Sequence, residues 1–351
     1  MRRRDLIGGL GLLAAGCTST RKPAELREIS VALSEHLSTS SMHLADEAGY
    51  LREAGFRMNV VRLSAIQAVP LLAGGRLDAI LGGVPAPLLN GVLRGMAIRV
   101  VAGREHVSPA CGDGYTLYAR RAVFGKGPVD PRRLKGKRFS IRSRGITEFI
   151  LDTFLKELGM ELGDVERIDL PLRESLAALA SGQIDAIFDP EVSRSALADS
   201  GELVKVWRLA DVLPMHQYSF VIFGESLLKT GVEPGARLLA AYLQAAGEFL
   251  EGRTPRFMRE FAERHGLDPE KTAAECRDTF ARDGAIDRAS LQRTLDWHAG
   301  KGYATARLEA GQLVDERFLE EARRMLASGE WRGGRHGGGG GGGAGGGGDG
   351  E

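Results

Sequence analysis

The 351 residues hold three cysteines and almost no charge imbalance: 47 basic side chains stand against 46 acidic ones, for a formal net charge of +1. Each shortage excludes something. Without a broad basic field the chain has no means of holding a nucleic acid backbone, whose binding runs on phosphate neutralisation. Cys17, Cys111 and Cys276 form no CxxC pair and have no histidine at ligand spacing, which argues against a structural metal site. Cys111 and Cys276 read first as two buried thiols, since the sequence cannot place their Cα atoms within bonding range, with a disulfide the open alternative in an exported chain. Beyond the N-terminal segment no run is long and apolar enough for a transmembrane helix. No G-x-x-x-x-G-K-[ST] run is present either, so energy from a nucleoside triphosphate has to come from partners.

Glycine, by contrast, is plentiful, and 14 of the 48 fall between Gly333 and Glu351. That tail has no aliphatic residue larger than alanine, cannot offset its own ordering entropy, and is expected to be disordered. At the other end, Arg2-Arg3-Arg4 precedes an uncharged segment from Leu6 to Gly16, an arrangement expected of an export signal and too short to span a bilayer. Leu13-Ala14-Ala15-Gly16-Cys17 resembles a bacterial lipobox, with Ala14 where that pattern prefers leucine, so Cys17 is the expected lipidation site. The Arg3-Arg4-Asp5-Leu6-Ile7 run leaves the twin-arginine and general export routes both open. Arg21 to Glu25 would be a polar tether from lipid to folded body.

Two stretches nearly repeat one another: Leu72-Ala73-Gly74-Gly75-Arg76-Leu77-Asp78-Ala79-Ile80 and Leu179-Ala180-Ser181-Gly182-Gln183-Ile184-Asp185-Ala186-Ile187. Each reads as a helix end, a glycine suited to the left-handed conformation that closes it, and an apolar strand just past the aspartate. The preceding elements repeat as well. In the first half they are a strand from Ile29 to Leu33, a loop from Ser34 to Ser41, and a helix from His43 to Ala54 closed by Gly55. In the second they are a strand from Arg138 to Ile141, a loop from Arg142 to Gly145, and a helix from Thr147 to Leu158 closed by Gly159. The fold class expected from this duplication is α/β: two lobes, each with a parallel-type sheet flanked by helices.

In open parallel sheets ligands bind outside the carboxyl ends of the strands, which selects four loops. These supply Ser34, Glu35, His36, Ser40 and Ser41 after the first strand, and Gly83, Val84 and Pro85 after the first repeat. The second half supplies Ser143, Arg144, Gly145 and Thr147, then Asp189 and Glu191. Gln217 and Tyr218 join them where the chain returns to the first lobe. Hydroxyls and arginine at a helix N-terminus suit an anion, although Ser41, Ser143 and Thr147 serve equally well as helix caps. Asp189 and Glu191 suit an amine, or else Asp189 caps a helix begun by Pro190 while Glu191 complements its dipole. His36 and His43 have no neighbour in sequence that completes a metal set. Neither a catalytic residue nor a cofactor is expected.

The run Ala45-Asp46-Glu47-Ala48-Gly49-Tyr50-Leu51-Arg52-Glu53-Ala54-Gly55-Phe56-Arg57-Met58-Asn59-Val60 resembles solute-binding proteins of the nitrate, sulfonate and taurine type, a group that includes binders of thiamine-pyrimidine precursors. Leu134-Lys135-Gly136-Lys137-Arg138-Phe139-Ser140-Ile141 is similar to the start of that family's second lobe, and the likeness covers Ile29 to about Gly266. It implies a type II periplasmic-binding fold with crossings near Gly114 to Ala119 and Tyr218 to Gly224, forming a two-strand hinge. Lobe one would comprise residues 28–113 and 225–330, and lobe two residues 114–224, with 18–27 as tether. From Glu233 on, helices with Leu238, Leu239, Tyr242, Leu243, Ala246 and Phe249 on one face would cover the first lobe. The implied role is the exported, membrane-anchored binding component of an ABC importer, a monomer that gives a small organic anion or zwitterion to permease and ATPase subunits. Arg144 would grip the anion in bidentate fashion, and Glu35, Asp189 and Glu191 would form an acidic side. A pyrimidine-like solute, a tethered sensory role, and a biosynthetic enzyme on the same fold are the alternatives.

Overall fold

Asp78 and Asp185, the repeated aspartates, make the same bonds in two different sheets. In the computed structural model, which describes residues 25–111, 115–141, 144–329 and 331, ten strands form two five-stranded sheets. The strands are β1 (Arg27–Leu33), β2 (Phe56–Arg62), β3 (Ala79–Gly82), β4 (Arg99–His106), β5 (Thr116–Arg120), β6 (Arg138–Ser140), β7 (Glu166–Ile168), β8 (Ala186–Phe188), β9 (Leu203–Arg208) and β10 (Gln217–Phe223). Their orders are β2-β1-β3-β10-β4 and β7-β6-β8-β5-β9. Position for position these are one topology. The first three strands of each are parallel, while β10 and β5 run antiparallel to both of their neighbours.

The aspartates hold these sheets at equivalent points. Asp78 N–H donates to the Ser30 carbonyl at 2.8 Å, and its carboxylate accepts the Ser30 N–H at 2.8 Å. Asp185 treats Arg138 in the same way, at 2.8 and 3.0 Å. On the far side, Gly224 N–H donates to the Asp78 carbonyl and Arg120 N–H to the Asp185 carbonyl, both at 2.9 Å. One aspartate thus joins the first parallel strand of its sheet to the end of the inserted one. Just upstream, the left-handed turns fall on the equivalent glycines Gly75 (φ 66°) and Gly182 (φ 78°), where any other residue is strained.

Each sheet is covered on both faces, as strand periodicity dictates. Ile29, Val31 and Leu33 point into one core with Leu81, Val221 and Phe223. Ala32, Ile80, Phe220 and Ile222 point into the other. The helices Ser40–Glu47, Val232–Leu250 and Arg317–Ser328 close the first face, and Ala65–Ala73, Ala86–Leu93 and Arg288–Gly300 the second. Leu238, Leu239, Tyr242, Leu243, Ala246 and Phe249 are all buried, as expected. Each of their larger side chains contributes about 1.5–3 kcal/mol by leaving water. The second sheet packs Leu117, Phe139 and Phe188 against the helix Ile146–Glu157, and Tyr118 and Ile187 against Leu172–Ser181.

Three expectations shift. The helix read from His43 to Ala54 is two, Ser40–Glu47 and Tyr50–Glu53, because Gly49 adopts φ 83° between them. Residues 218–224 are not a crossing: β10 lies between β3 and β4 in the first sheet, so the chain passes between the sheets after β4 and again between β9 and β10. Cys111 and Cys276 are not free thiols. They are bonded, with Cα atoms 5.5 Å apart across a separation of 165 residues, because the segment after the helix Pro269–Ala273 returns to the first connecting peptide. The expected export signal, Cys17, Arg142, Ser143 and the glycine-rich tail lie outside the described residues. No helix among those described is long and apolar enough to cross a membrane.

The two sheets are clasped from both sides. Asp152, on the helix of the second lobe, accepts from Trp297 Nε1 at 2.8 Å and Lys301 Nζ at 2.6 Å, and Glu148 one turn earlier accepts from Tyr303 Oη at 2.9 Å. Opposite, Asp268 N–H donates to the Arg194 carbonyl at 3.0 Å and Lys271 pairs with Asp199.

Two stability measurements follow from this architecture. Reduction of Cys111–Cys276, or a double Cys→Ala variant, should lower the urea midpoint by the equivalent of about 2–5 kcal/mol, since the bond closes a long loop in the unfolded chain. Asp185 is partly buried, which pushes its carboxyl upward, but the Arg138 side-chain and backbone bonds outweigh burial and hold it below its ordinary value. Its stabilisation is therefore complete above about pH 4 and fades as pH falls further. Asp185→Asn should cost roughly 2 kcal/mol at pH 7 and progressively less in acid, read by denaturant titration at both pH values.

Candidate functional site

The carboxyl ends of β1, β3, β4 and β8 and the amino end of the antiparallel β10 converge on the gap between the sheets, where two adjoining cavities lie. The inner one, about 150 Å³, takes Ser34, His36 and Ser38 from the loop after β1 and Gly83, Val84 and Pro85 from the loop after β3. Glu105 and Ser219 come from the sheet itself, and Tyr218 from β10. The second lobe contributes Tyr115, Gly145, Ile146, Thr147, Phe188, Asp189 and Pro190. Tyr115 and Tyr218 meet edge to face with ring centres 4.9 Å apart. The outer cavity, about 590 Å³, lies beyond them.

Of the candidates read from sequence, Ser34, His36, Gly83, Val84, Pro85, Gly145, Thr147, Asp189 and Tyr218 line the inner cavity. Six others do not. Glu35 is exposed and faces Arg62, Arg264 and His265 at 3.8, 3.5 and 3.9 Å. Ser40 and Ser41 are buried in the helix they begin, with Ser40 Oγ donating back to the Leu37 carbonyl at 2.7 Å. Arg144 is exposed, and its guanidinium lies 5.7 Å from the centre of the Tyr303 ring rather than in the cavity. Gln217 is a brace: its amide donates to the Ala285 carbonyl at 2.9 Å and accepts the Asp287 N–H at 2.8 Å. That brace lies so close to Gly103 that a Cβ there would be 2.3 Å from Gln217 Nε2 and 2.1 Å from the Ala285 carbonyl. Glu191 is fully buried one layer behind the wall.

Glu191 nonetheless organises the wall. Its Oε1 accepts the Leu37 N–H of the other lobe at 3.3 Å and lies 3.3 Å from His36 Nε2, while Arg194 donates to Oε2 at 3.0 Å. Burial raises its carboxyl above the ordinary range, against Arg194 and the Leu37 N–H. Asp189 caps the short helix Pro190–Arg194 through the Glu191 N–H at 2.9 Å, so its capping role holds beside its place in the cavity. His36, Asp189 and Glu191 also bring ligand atoms within 4.8 Å of one another, a metal-like set that spacing along the chain did not suggest. His36 Nδ1 accepts the Ser38 N–H at 3.2 Å, which leaves the ring hydrogen on Nε2, turned toward Glu191. A cation there would have to displace that hydrogen and compete with Arg194.

The strongest feature missed in sequence is Glu105. Only 4% exposed at the end of β4, it faces both cavities. Burial pushes its carboxyl up to about 7, against the pull of Arg104 at 3.8 Å and a bond from Ser219. The strand-end rule that selected the other loops selects this residue when applied to the apolar run Val100 to Ala102. Arg104 beside it is fully buried, donating to the Ser38 carbonyl, to Ser219 Oγ at 2.8 Å and to Tyr242 Oη at 3.3 Å. It fixes the loop after β1 and does not line either cavity. No lysine or arginine is among the described residues lining the inner cavity.

Comparison with known proteins adds a family and a fold. The chain aligns over 84% of its length with the alkanesulfonate-binding protein SsuA from Xanthomonas axonopodis pv. citri bound to MOPS, covering 99% of that chain at 19% identity and a TM-score of 0.67. The periplasmic nitrate-binding protein NrtA from Synechocystis PCC 6803 matches at 13% identity and a TM-score of 0.69, with 88% of this chain and 91% of that chain covered. The desulfurization enzyme DSZB, at 16% identity, a TM-score of 0.59 and coverage of 85% and 99%, has the same fold. These likenesses establish the two-lobed binding-protein architecture and nothing finer. No curated protein sequence matches. The family described as NMT1/THI5 like matches residues 38–252, well over half of the chain, and the chain belongs to that family.

Proposed function

We propose that the protein is the exported solute-binding component of an ABC importer. In this reading it is anchored through Cys17, closes its lobes on a small solute, and delivers that solute to a permease driven by an ATPase. The solute presents a positive or hydrogen-bond-donating group, such as an amine, an amidine or the amino edge of a heteroaromatic ring. Structural relatives that bind alkanesulfonate and nitrate support the importer role. The chemistry of the solute rests on one observation: the inner cavity carries the carboxyls of Glu105 and Asp189 and, among its described lining residues, no lysine or arginine. A bare anion such as nitrate would meet two carboxyls and, among the described lining residues, no lysine or arginine to balance its charge. The reading of Arg144 as an anion clamp therefore gives way to a cationic or zwitterionic solute, with Tyr115, Tyr218 and Phe188 as aromatic lining for a flat ring. An enzymatic reading draws no support from His36, whose two ring nitrogens already face Ser38 and Glu191.

Binding stabilises the closed form by the difference between the solute's affinities for closed and open states. Thermal-shift and calorimetric titrations should show amines and aminopyrimidines binding in preference to alkanesulfonates and nitrate. Because ionised Glu105 attracts a cation and its carboxyl titrates at about 7, affinity should rise up to about tenfold from pH 6 to pH 8. Glu105→Gln should flatten that profile. Preferential binding of anions, or an unchanged profile in Glu105→Gln, overturns the proposal. The stability effect has the opposite sense: a raised carboxyl favours the fold below its unfolded value near 4.3 and loses that advantage as pH climbs through about 7, so Glu105→Gln should be more stable than the parent at pH 8 by about 1–3 kcal/mol and indistinguishable at pH 4. Arg144→Ala should leave solute affinity within about twofold, since its guanidinium lies outside the cavity.

A further inference from the structure

The chain crosses between the lobes after β4 and again before β10, and each crossing carries a residue in the left-handed region that favours glycine: Tyr115 at φ 44° and Met215 at φ 61°. Such strain persists only where the surroundings hold it, and it gathers at clamps and pivots. Here the surroundings are specific. Val107 joins the crossings to each other, its N–H donating to the His216 carbonyl at 2.9 Å and its carbonyl accepting the Met215 N–H at 2.8 Å. Beyond Val107 the first crossing is tied to the segment that follows the helix Pro269–Ala273: Ser108 Oγ donates to the Asp278 carboxylate, and Cys111 is bonded to Cys276.

That segment is part of the first lobe. The His106 N–H donates to the Thr279 carbonyl at 2.8 Å, the Ala281 N–H donates to the Arg104 carbonyl at 2.6 Å, and Phe280 is buried in the core behind β4. Among the described residues the disulfide is therefore the last tie between the first lobe and the crossing ahead of Tyr115. Upstream of Cys276 the same segment lies across the cleft, with Leu267 bridged to Ser195 and Glu275 at 3.5 Å from Arg194. Its other hold on the second lobe, Lys271 with Asp199, is 40% and 68% exposed and contributes little alone. One covalent bond thus fixes both the strap over the cleft and the peptide on which the lobes turn. Cys276 is exposed, Cys111 is buried, and both line the outer cavity.

We propose that Cys111–Cys276 is a redox control on the hinge. Oxidised, it holds the first crossing to the first lobe as far as Cys111 and confines rotation of the lobes to the strained positions Tyr115 and Met215. Reduced, it frees the crossing and the end of the strap together, and the cleft opens more readily. The reductant is a dithiol of the Cys-x-x-Cys kind. Its thiolate attacks Cys276 Sγ, Cys111 Sγ leaves as a thiolate and takes up a proton, and the second thiol resolves the mixed disulfide, so two protein thiols form as the dithiol becomes a disulfide. Tyr115 lines both cavities, so a looser crossing loosens their shared wall. The inference goes beyond the solute proposed above and holds whichever solute is bound.

The folded, solute-free protein tests it. Dithiothreitol without denaturant should free Cys111 and Cys276, read by peptide mapping. After desalting under argon, small-angle scattering should give a larger radius of gyration than in the oxidised form. Trypsin should then cut after Lys271 or Arg277 at least about fivefold faster than in the oxidised form, and before any site within residues 27–106, as expected of local release. Reoxidation should reverse both changes, and Cys111→Ser/Cys276→Ser should match the reduced parent. A bond that resists dithiothreitol in the folded protein, an unchanged radius of gyration, or cleavage that begins throughout both lobes overturns the proposal. The last result would make the bond a staple on the unfolded chain and nothing more.

Discussion

Glu191 belongs to one lobe and is solvated by the other. A carboxylate with no solvent exposure has to recover from protein groups the hydration it has lost, or give up its charge. Here the replacements come from both sides of the cleft: Arg194 from its own short helix, the Leu37 N–H and the His36 ring from the loop after β1. Separating the lobes removes the second set and must let water in. Closure is thus written into a buried charge as well as into apolar contact, and the wall between the two cavities is where that charge is satisfied. His36, held to the same carboxylate, forms part of that wall, so the shape of the site and the closure of the lobes answer to one group.

A second buried charge sets the floor. Arg104 ties together three elements: the Ser38 carbonyl after β1, Ser219 in β10 and Tyr242 in the long helix Val232–Leu250. Its guanidinium supplies a fork of donors that a lysine could not reproduce. Burial raises the carboxyl of Glu105 beside it, and Arg104, 3.8 Å away and already bonded to the Ser38 carbonyl and two hydroxyls, only partly offsets that rise. The desulfurization enzyme that shares this fold shows that architecture does not decide between binding and chemistry. That decision lies with side chains such as these.

Much of this was legible in the chain. The repeated Gly-x-x-Asp units predicted two equivalent lobes because a helix stop, a positive-φ glycine and a strand start are local chemistry, and the hydrogen bonds of Asp78 and Asp185 repeat almost atom for atom. The strand-end rule found eight lining residues for the same reason. What escaped was whatever depends on direction or on distant chain. Arg144 is adjacent to the cavity in sequence, but its backbone at φ 59° turns the side chain onto Tyr303. Ser40 and Ser41 occupy the right loop and the wrong side of a helix. Glu35 and His36 are neighbours that point to opposite sides, one to solvent and one to the cleft. The Cys111–Cys276 bond and the Arg194–Glu275 pair require a segment after residue 268 to return to the cleft, and no local pattern encodes that return.

The two sheets share a topology but not a relation to chain order, and this bears on how the protein reaches its native state. Every strand of the second sheet lies between Thr116 and Arg208, one uninterrupted stretch that can fold as soon as it has been made. The first sheet lacks β10, the strand between β3 and β4, until the second is complete, and its covering helix Val232–Leu250 comes later still. The longest loop closures therefore fall on the first lobe. The lobe begun first is completed last in chain order, and the bond between Cys111 and Cys276 draws one of its two residues from that late segment.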